Sequence, residues 1–159
     1  MVLEEKIGNL LLQQKKSIAV AESCTGGLVA HRITNVPGAS GYFEAGFVTY
    51  SNKAKEHFLS VPEAIIKAKG AVSEEVARSM AGGVRKAAGV DIGLAITGIA
   101  GPGGGTPEKP VGTVYIALAV PEGISVRRFS FQGDRSEIKL GTSEAALSLI
   151  LDYLEGRLG

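Results

Sequence analysis

Three times along this chain a short apolar run breaks directly into a polar or glycine-rich segment. Ser17 to Ala21 leads into Glu22-Ser23-Cys24-Thr25-Gly26-Gly27, Tyr42 to Tyr50 leads into Ser51-Asn52-Lys53-Ala54-Lys55, and Asp91 to Thr97 leads into a Gly/Pro tract over residues 98–110. Apolar runs of this length, bounded by such punctuation, read as buried strands. The carboxyl ends of strands in an open α/β sheet are where ligands bind. The pattern therefore predicts three strands, each with a candidate ligand segment just past its end.

Helical spacings fill the intervals. Leu3, Ile7, Leu10 and Leu11 share one face over residues 3–15, and Leu28, Val29, Arg32, Ile33 and Val36 form a second helix stopped by Pro37-Gly38. Asn52 is placed to cap a helix running through Leu59, with a further helical turn after Pro62. Ser73 caps a helix with Glu74 and Glu75 in its first turn, an apolar face from Val76 to Ala88, and Gly89 as its stop. Val111 to Val120 and Ile124 to Phe131 flank Pro121-Glu122-Gly123 as a hairpin, and the apolar phase shift from Ile124 and Val126 to Phe129 and Phe131 predicts a bulge. Asp134 and Glu137 have capping-box spacing and open a last helix through Leu154, stopped at Gly156. The order α-β-α-β-α-α-β-β-β-α predicts a mixed sheet covered on both faces, in one domain over residues 1–159.

Composition narrows the function. Lys and Arg number 17 against 16 Asp and Glu, a net charge of +1, which argues against coating nucleic acid or an acidic membrane. No apolar run reaches the ~18 residues that cross a bilayer. The N-terminus lacks a signal peptide's basic start and apolar run, so a cytoplasmic protein with reduced Cys24 is expected. One Cys and two His exclude an intrachain disulfide and argue against a Cys/His zinc site. Glycine is in excess, 22 of 159 residues, and must serve turns, close approaches or ligand loops.

The first segment places Ser23, Cys24 and Thr25 between a strand and a helix, where amide N–H groups favour an anion. It reads equally as a helix cap made by Ser23 or Thr25. In the second segment Lys53 and Lys55 lie on different helical faces, so one points inward; an enclosed lysine loses its proton more readily, as a general base must. Two solvated lysines are the plain alternative. The third segment is not a Walker loop, because Gly104 stands where Lys is needed, nor a dinucleotide fingerprint, because Thr106 holds the third glycine position. Its dense N–H groups suit a phosphate or carboxylate, or it is simply a surface loop. Ser136-Glu137-Ile138-Lys139 matches a Ser-x-x-Lys pattern without its companion motifs and reads as surface.

Ala21 to Gly27, Phe47 to Asn52, Lys55, Gly70-Ala71-Val72-Ser73, Thr97 to Pro102 and Lys109 to Val114 resemble, in that order, the CinA C-terminal domain family, also called nicotinamide-nucleotide amidohydrolases. The likeness runs from about residue 5 to 155, and the chain begins directly at this region, as a stand-alone form would. The resemblance implies a three-layer α/β/α sandwich on a mixed, mostly parallel five-strand sheet. It also implies hydrolysis of the carboxamide of nicotinamide mononucleotide to nicotinate mononucleotide and ammonia, with no cofactor and no metal. By position the family's nucleophile matches Ser23 and its catalytic lysine matches Lys55.

Amide chemistry then suggests the remaining roles. The backbone at Cys24, Thr25 and Gly26 would hold an oxyanion. Thr97 and the loop containing Gly98, Gly101 and Gly103, with Arg135, would hold the nucleotide and its 5′-phosphate, and Tyr50 would meet the pyridine ring. The Gly103 to Thr106 tract is richer in glycine than the family pattern. Cys24 as nucleophile, a non-catalytic nucleotide-binding module and a different nucleotide carboxamide remain open on these residues. A chain of this size with apolar helices is expected to pair as a homo-oligomer.

Overall fold

A computed structural model describes residues 1–158. Six α-helices and five strands form, one helix (α4) more than the expected order: α1 (Leu3–Gln14), β1 (Ile18–Glu22), α2 (Leu28–Thr34), β2 (Phe43–Val48), α3 (Asn52–Leu59), α4 (Glu63–Lys69), α5 (Glu74–Ala88), β3 (Ile92–Gly98), β4 (Thr113–Val120), β5 (Gly123–Ser130) and α6 (Arg135–Leu154). The sheet order is β2-β1-β3-β4-β5. β1 runs parallel to β2 and β3, while β4 is antiparallel to both β3 and β5, so four strands share one direction. Helices α1, α2 and α6 cover one face, and α3, α4 and α5 cover the other. The three-layer, mostly parallel sandwich implied by the resemblance is what forms.

The two faces of the sheet differ in side-chain size. Ile18, Val20, Leu94, Ile96, Ile116 and Leu118 fill the face toward α1, α2 and α6. On the opposite face the register aligns small residues across the sheet: Ala45–Ala19–Gly93–Ala119 in one row, and Ala21–Ala95–Ala117 in the next. Helix α5 brings its own small residues, Ala77 and Ala81, against this face. A Cβ on Gly93 would stand 2.5 Å from the Ala81 carbonyl, so helix and strand touch nearly backbone to backbone. Volume is conserved across the sandwich, large on one side and small on the other, as close packing requires.

Local signals explain the ends of the elements. Ser73 Oγ accepts the Val76 N–H at 3.2 Å to open α5, and Gly89 ends it in a left-handed conformation. Asp134 and Glu137 form a reciprocal capping box at the start of α6. Ser51, not Asn52, caps α3, accepting the Ala54 N–H at 3.0 Å, because Ser51 is the last extended residue before the helix. The turn after Pro62 extends into the seven-residue α4.

β5 contains no bulge. Its pairing with β4 is continuous from Thr113↔Ser130 to Val120↔Gly123. The apolar phase shifts because the strand is covered on both sides in turn: Ile124 and Val126 meet the α5 layer, while Phe129 packs in the α6 layer. The sheet's recorded irregularity lies instead in β1 against β2, between Ile18 and Ala19.

Two adjacent glycines of α5 test this packing. A Cβ on Gly83 would fall 2.0 Å from the Leu59 carbonyl at the end of α3, whereas one on Gly82 meets only the tip of Ile124 at 3.5 Å. Alanine ordinarily favours a helix over glycine by about 1 kcal/mol. Gly82→Ala is therefore expected to hold or raise stability. Gly83→Ala is expected to lower it by roughly 1–3 kcal/mol through overpacking, as read by denaturant unfolding; equal effects would contradict the close α3–α5 contact.

Candidate active site

Alternation along β1 decides which way each residue at its end points. Ala19 and Ala21 face the α5 layer, Val20 faces the α2 layer, and β1 is buried throughout. Continuing that alternation sends Glu22 toward α2 and Ser23 toward α3. Both expectations hold in the contacts.

Ser23 Oγ lies 3.1 Å from Lys55 Nζ, across 32 residues of sequence. Lys55 is 1% exposed and Ser23 8%, while Lys53 lies exposed on another face of α3. Nζ also donates to the Thr49 carbonyl at 2.9 Å and reaches the Tyr50 carbonyl at 3.4 Å. No carboxylate pairs with it among the described residues. Burial pushes the Lys55 pKa down from the ordinary lysine value of 10.5, with the Cys24 thiolate as a smaller opposing influence. A neutral amine has two N–H donors and one lone pair. As an ammonium Lys55 donates to Ser23 Oγ and both carbonyls; once the proton is lost, two hydrogens can stay on the carbonyls while the lone pair turns to the Ser23 hydroxyl.

Cys24 is 6% exposed and also faces this cavity. Burial pushes its thiol up to about 11, aided by the nearby Glu22 carboxylate and opposed by its own backbone amide and the charges of Lys139 and Lys55. Near neutral pH it is a thiol, a weaker nucleophile than the thiolate.

The turn after Ser23 is built on Gly26 and Gly27, at φ +61° and +107°, which L side chains rarely adopt. The Gly26 N–H donates to the Ser23 carbonyl at 3.1 Å, so this amide is committed to closing the turn. The amides of Cys24 and Thr25 keep no partner among the described residues. Neither Ser23 nor Thr25 caps α2; the N-cap is Gly27, which has no side chain. The Thr25 hydroxyl instead donates to Glu22 at 2.6 Å.

A cavity of about 280 Å³ opens over this pair, and Ser23, Cys24, Lys55, Tyr50, Thr97, Gly98, Gly101, Gly103 and Arg135 all line it. Of the expected site residues only Thr25 and Gly26 do not. Thr97 is less free than expected, since its hydroxyl donates to the Ala71 carbonyl at 2.8 Å and ties β3 to the segment before α5. Arg135 donates to the Gly101 carbonyl at 2.7 Å and to the Tyr50 hydroxyl at 2.9 Å, bridging the loop, α6 and the end of β2. Asn52, Ala71 and Val72 complete one wall. Ala71 and Val72 belong to a block that carried the family resemblance without an assigned role. No Asp or Glu lines the cavity. Lys139, read from sequence as surface, is only half exposed, and its amine comes within 3.7 Å of where a Cβ on Gly26 would stand. No cluster of three or more His, Cys, Asp or Glu suited to a metal ion is present among the described residues.

Comparison with known proteins shows the family and the fold. The model of the CinA C-terminal domain matches residues 1–154. A CinA-like protein of Geotalea uraniireducens is 54% identical over 156 residues, covering 98% of this chain and 36% of that protein. One from Chlorobaculum tepidum is 54% identical over 160 residues, covering 98% of this chain and 38% of that protein. The chain thus spans little more than a third of the length of these curated relatives. Among solved structures, a CinA superfamily protein from Klebsiella pneumoniae superposes with a TM-score of 0.93 at 31% identity, covering 97% of this chain and 96% of that one. A competence/damage inducible protein from Agrobacterium tumefaciens superposes at 0.89 with 36% identity, covering 98% and 97%. By its sequence, its fold and the extent of both matches, this chain belongs to the CinA C-terminal domain family.

Proposed function

We propose that this chain hydrolyses the carboxamide of nicotinamide mononucleotide, giving nicotinate mononucleotide and ammonia through a serine acyl-enzyme. The observation that carries this reading is the buried Lys55 amine, without a carboxylate partner among the described residues, 3.1 Å from Ser23 Oγ. An alcohol is a weak nucleophile until a base takes its proton, and burial shifts Lys55 toward the form that can take it.

Ser23 Oγ bonds to the carboxamide carbon as its proton passes to Lys55 Nζ. The amide of Cys24, at the cavity wall, receives the oxyanion; one such donor is typically worth ~3–4 kcal/mol. The C–N bond then breaks, and the Lys55 ammonium returns the proton to the departing nitrogen as ammonia leaves. Water attacks the ester carbon, again giving its proton to Lys55, and Ser23 recovers a proton as the carboxylate leaves. Arg135 supplies a cation for the 5′-phosphate beside the glycine-rich loop, and Tyr50, 60% exposed at the mouth, meets the ring. A cavity without carboxylates suits a substrate that carries a phosphate. These chemical steps need no metal or cofactor, and the operating state is proposed to be a cytoplasmic homo-oligomer.

Ammonia release should identify the nucleophile. Ser23→Ala and Lys55→Met are each expected to lose at least ~100-fold in kcat, the lower range for a general base, while Cys24→Ala keeps a sizeable fraction. Loss in Cys24→Ala with retention in Ser23→Ala would transfer the role to the thiol. A wild-type protein that binds the nucleotide but releases no ammonia would leave a binding module instead.

The lysine also sets the pH profile. Its pKa in the folded protein lies below 10.5, so protonation at lower pH removes the base. kcat/KM is expected to rise with pH along a limb whose midpoint lies below 10.5, and Lys55→Arg, which cannot lose its proton, should abolish the limb together with the activity. Across that window the unfolded chain binds a proton that the folded chain does not, so stability rises with pH as well. A flat profile would remove Lys55 as base.

Substrate choice tests the phosphate contact. Nicotinamide mononucleotide is expected to be cleaved in preference to free nicotinamide and glutamine, and Arg135→Ala should raise KM for the nucleotide by roughly tenfold, the loss of about one charged hydrogen bond. Equal kcat/KM on nicotinamide and its nucleotide would sink this assignment.

A further inference from the structure

Glu22, the residue before the nucleophile, is 1% exposed and makes no ion pair among the described residues. A carboxylate buried without a cation must be held by hydrogen bonds. Four converge on it. Oε1 accepts the Thr25 hydroxyl at 2.6 Å, the Gly27 N–H at 3.2 Å and the Val29 N–H at 3.0 Å. Oε2 accepts the Ala30 N–H at 2.9 Å. These amides are the orphan donors of α2's first turn, which a side chain at the N-cap would normally satisfy. Gly27 has none, so Glu22 reaches in from the end of β1. The Leu28 N–H is taken by the Thr25 carbonyl at 3.1 Å and the Gly26 N–H by Ser23. Every amide from Gly26 to Ala30 is thereby occupied, and those of Cys24 and Thr25 stay free.

We propose that Glu22 is the positioning residue of this site. Its carboxylate ties the Thr25 hydroxyl to the head of α2. The turn then presents Ser23 and Cys24 to the cavity while the helix's own N-terminus is sealed from substrate. The consequence is selective. The turn holds a single oxygen anion, and a phosphate has to bind elsewhere. A fixed negative charge under the turn also disfavours a second anion on Cys24, which is faced by Glu22, Lys139 and Lys55. The alcohol is left as the reactive group. The catalytic part of this inference rests on the amidase reading above; the part concerning Cys24 does not.

The test compares Glu22→Gln, Glu22→Asp and Thr25→Val with the wild type. Glutamine keeps the shape but removes the charge and sets an NH₂ group against donors. Aspartate keeps the charge on a shorter arm. Thr25→Val leaves the carboxylate in place and removes one of its four partners, so it remains informative where a Glu22 variant fails to fold.

With nicotinamide mononucleotide, Glu22→Gln and Thr25→Val are expected to lower kcat at least tenfold with KM within about twofold, because the phosphate contacts lie elsewhere. Alkylation of Cys24 by iodoacetamide at pH 8 reads the charge separately. It should accelerate several-fold in Glu22→Gln and stay near the wild-type rate in Glu22→Asp. A purely structural role would accelerate both variants alike and raise KM along with the fall in kcat, and either result overturns the proposal. A wild type that releases no ammonia would end the amidase reading, while the alkylation comparison would still decide for or against the charge of Glu22.

Discussion

Holding the Lys55 amine inside the protein without a carboxylate is costly if the amine is charged, since a buried unpaired ion loses several kcal/mol of hydration. The surroundings meet that constraint by favouring the neutral form. Burial lowers the lysine pKa, and the amine meets two carbonyls and an alcohol rather than an acid. An acid at this point would restore the proton and remove the base. The absence of Asp and Glu from the cavity wall, together with the burial of Glu22 behind the turn, belongs to the same arrangement.

The contact is made possible by the size asymmetry of the sheet. Its small-residue face lets α5 press onto β1 and β3, and α3 rests in turn on α5 through the bare backbone of Gly83. With bulkier residues at Ala19, Ala21 or Gly93 the helical layer would stand further off, and a lysine on α3 would fall short of the strand end. The large-residue face has the opposite task. It seats α1, α2 and α6 at ordinary distance and leaves room beneath the turn for a carboxylate. Consecutive residues at the end of β1 therefore serve the two layers, Ser23 the first and Glu22 the second.

Much of this was legible in the residues. Sequence patterning located five helices and five strands, each bounded by turn or cap residues, and read the sixth helix, α4, only as a turn after Pro62. Ser23 and Lys55 stood out from their strand-end positions and from the family resemblance, although spacing alone could not choose Lys55 over Lys53. Apart from the α3 cap, which is decided locally, the misreadings arise where the deciding partner lies far away in sequence. The phase shift in β5 resembled a bulge because nothing local tells that α5 covers one half and α6 the other. The bridge from Arg135 to Tyr50 spans 85 residues, and the Thr97 hydroxyl is spent on Ala71. The role of Glu22 was hidden for a subtler reason. Its partners are near in sequence, but they are amides, and only the left-handed turn at Gly26 and Gly27 brings them back to it.

A helix N-terminus beside a nucleophile is usually a ready anion site, and here it is closed by the protein's own carboxylate. That closure separates two demands which a nucleotide amide places on one cavity. The phosphate is a permanent anion and needs a permanent cation, which Arg135 can offer across the glycine-rich loop. The oxyanion exists only during reaction and is best met by neutral amides that a phosphate cannot occupy in advance. An open α2 terminus would serve both poorly, since it would draw the phosphate toward the bond-breaking end and hold it there. Filling that terminus with Glu22 leaves the turn's charge-binding capacity small and local, placed where a single oxygen becomes negative.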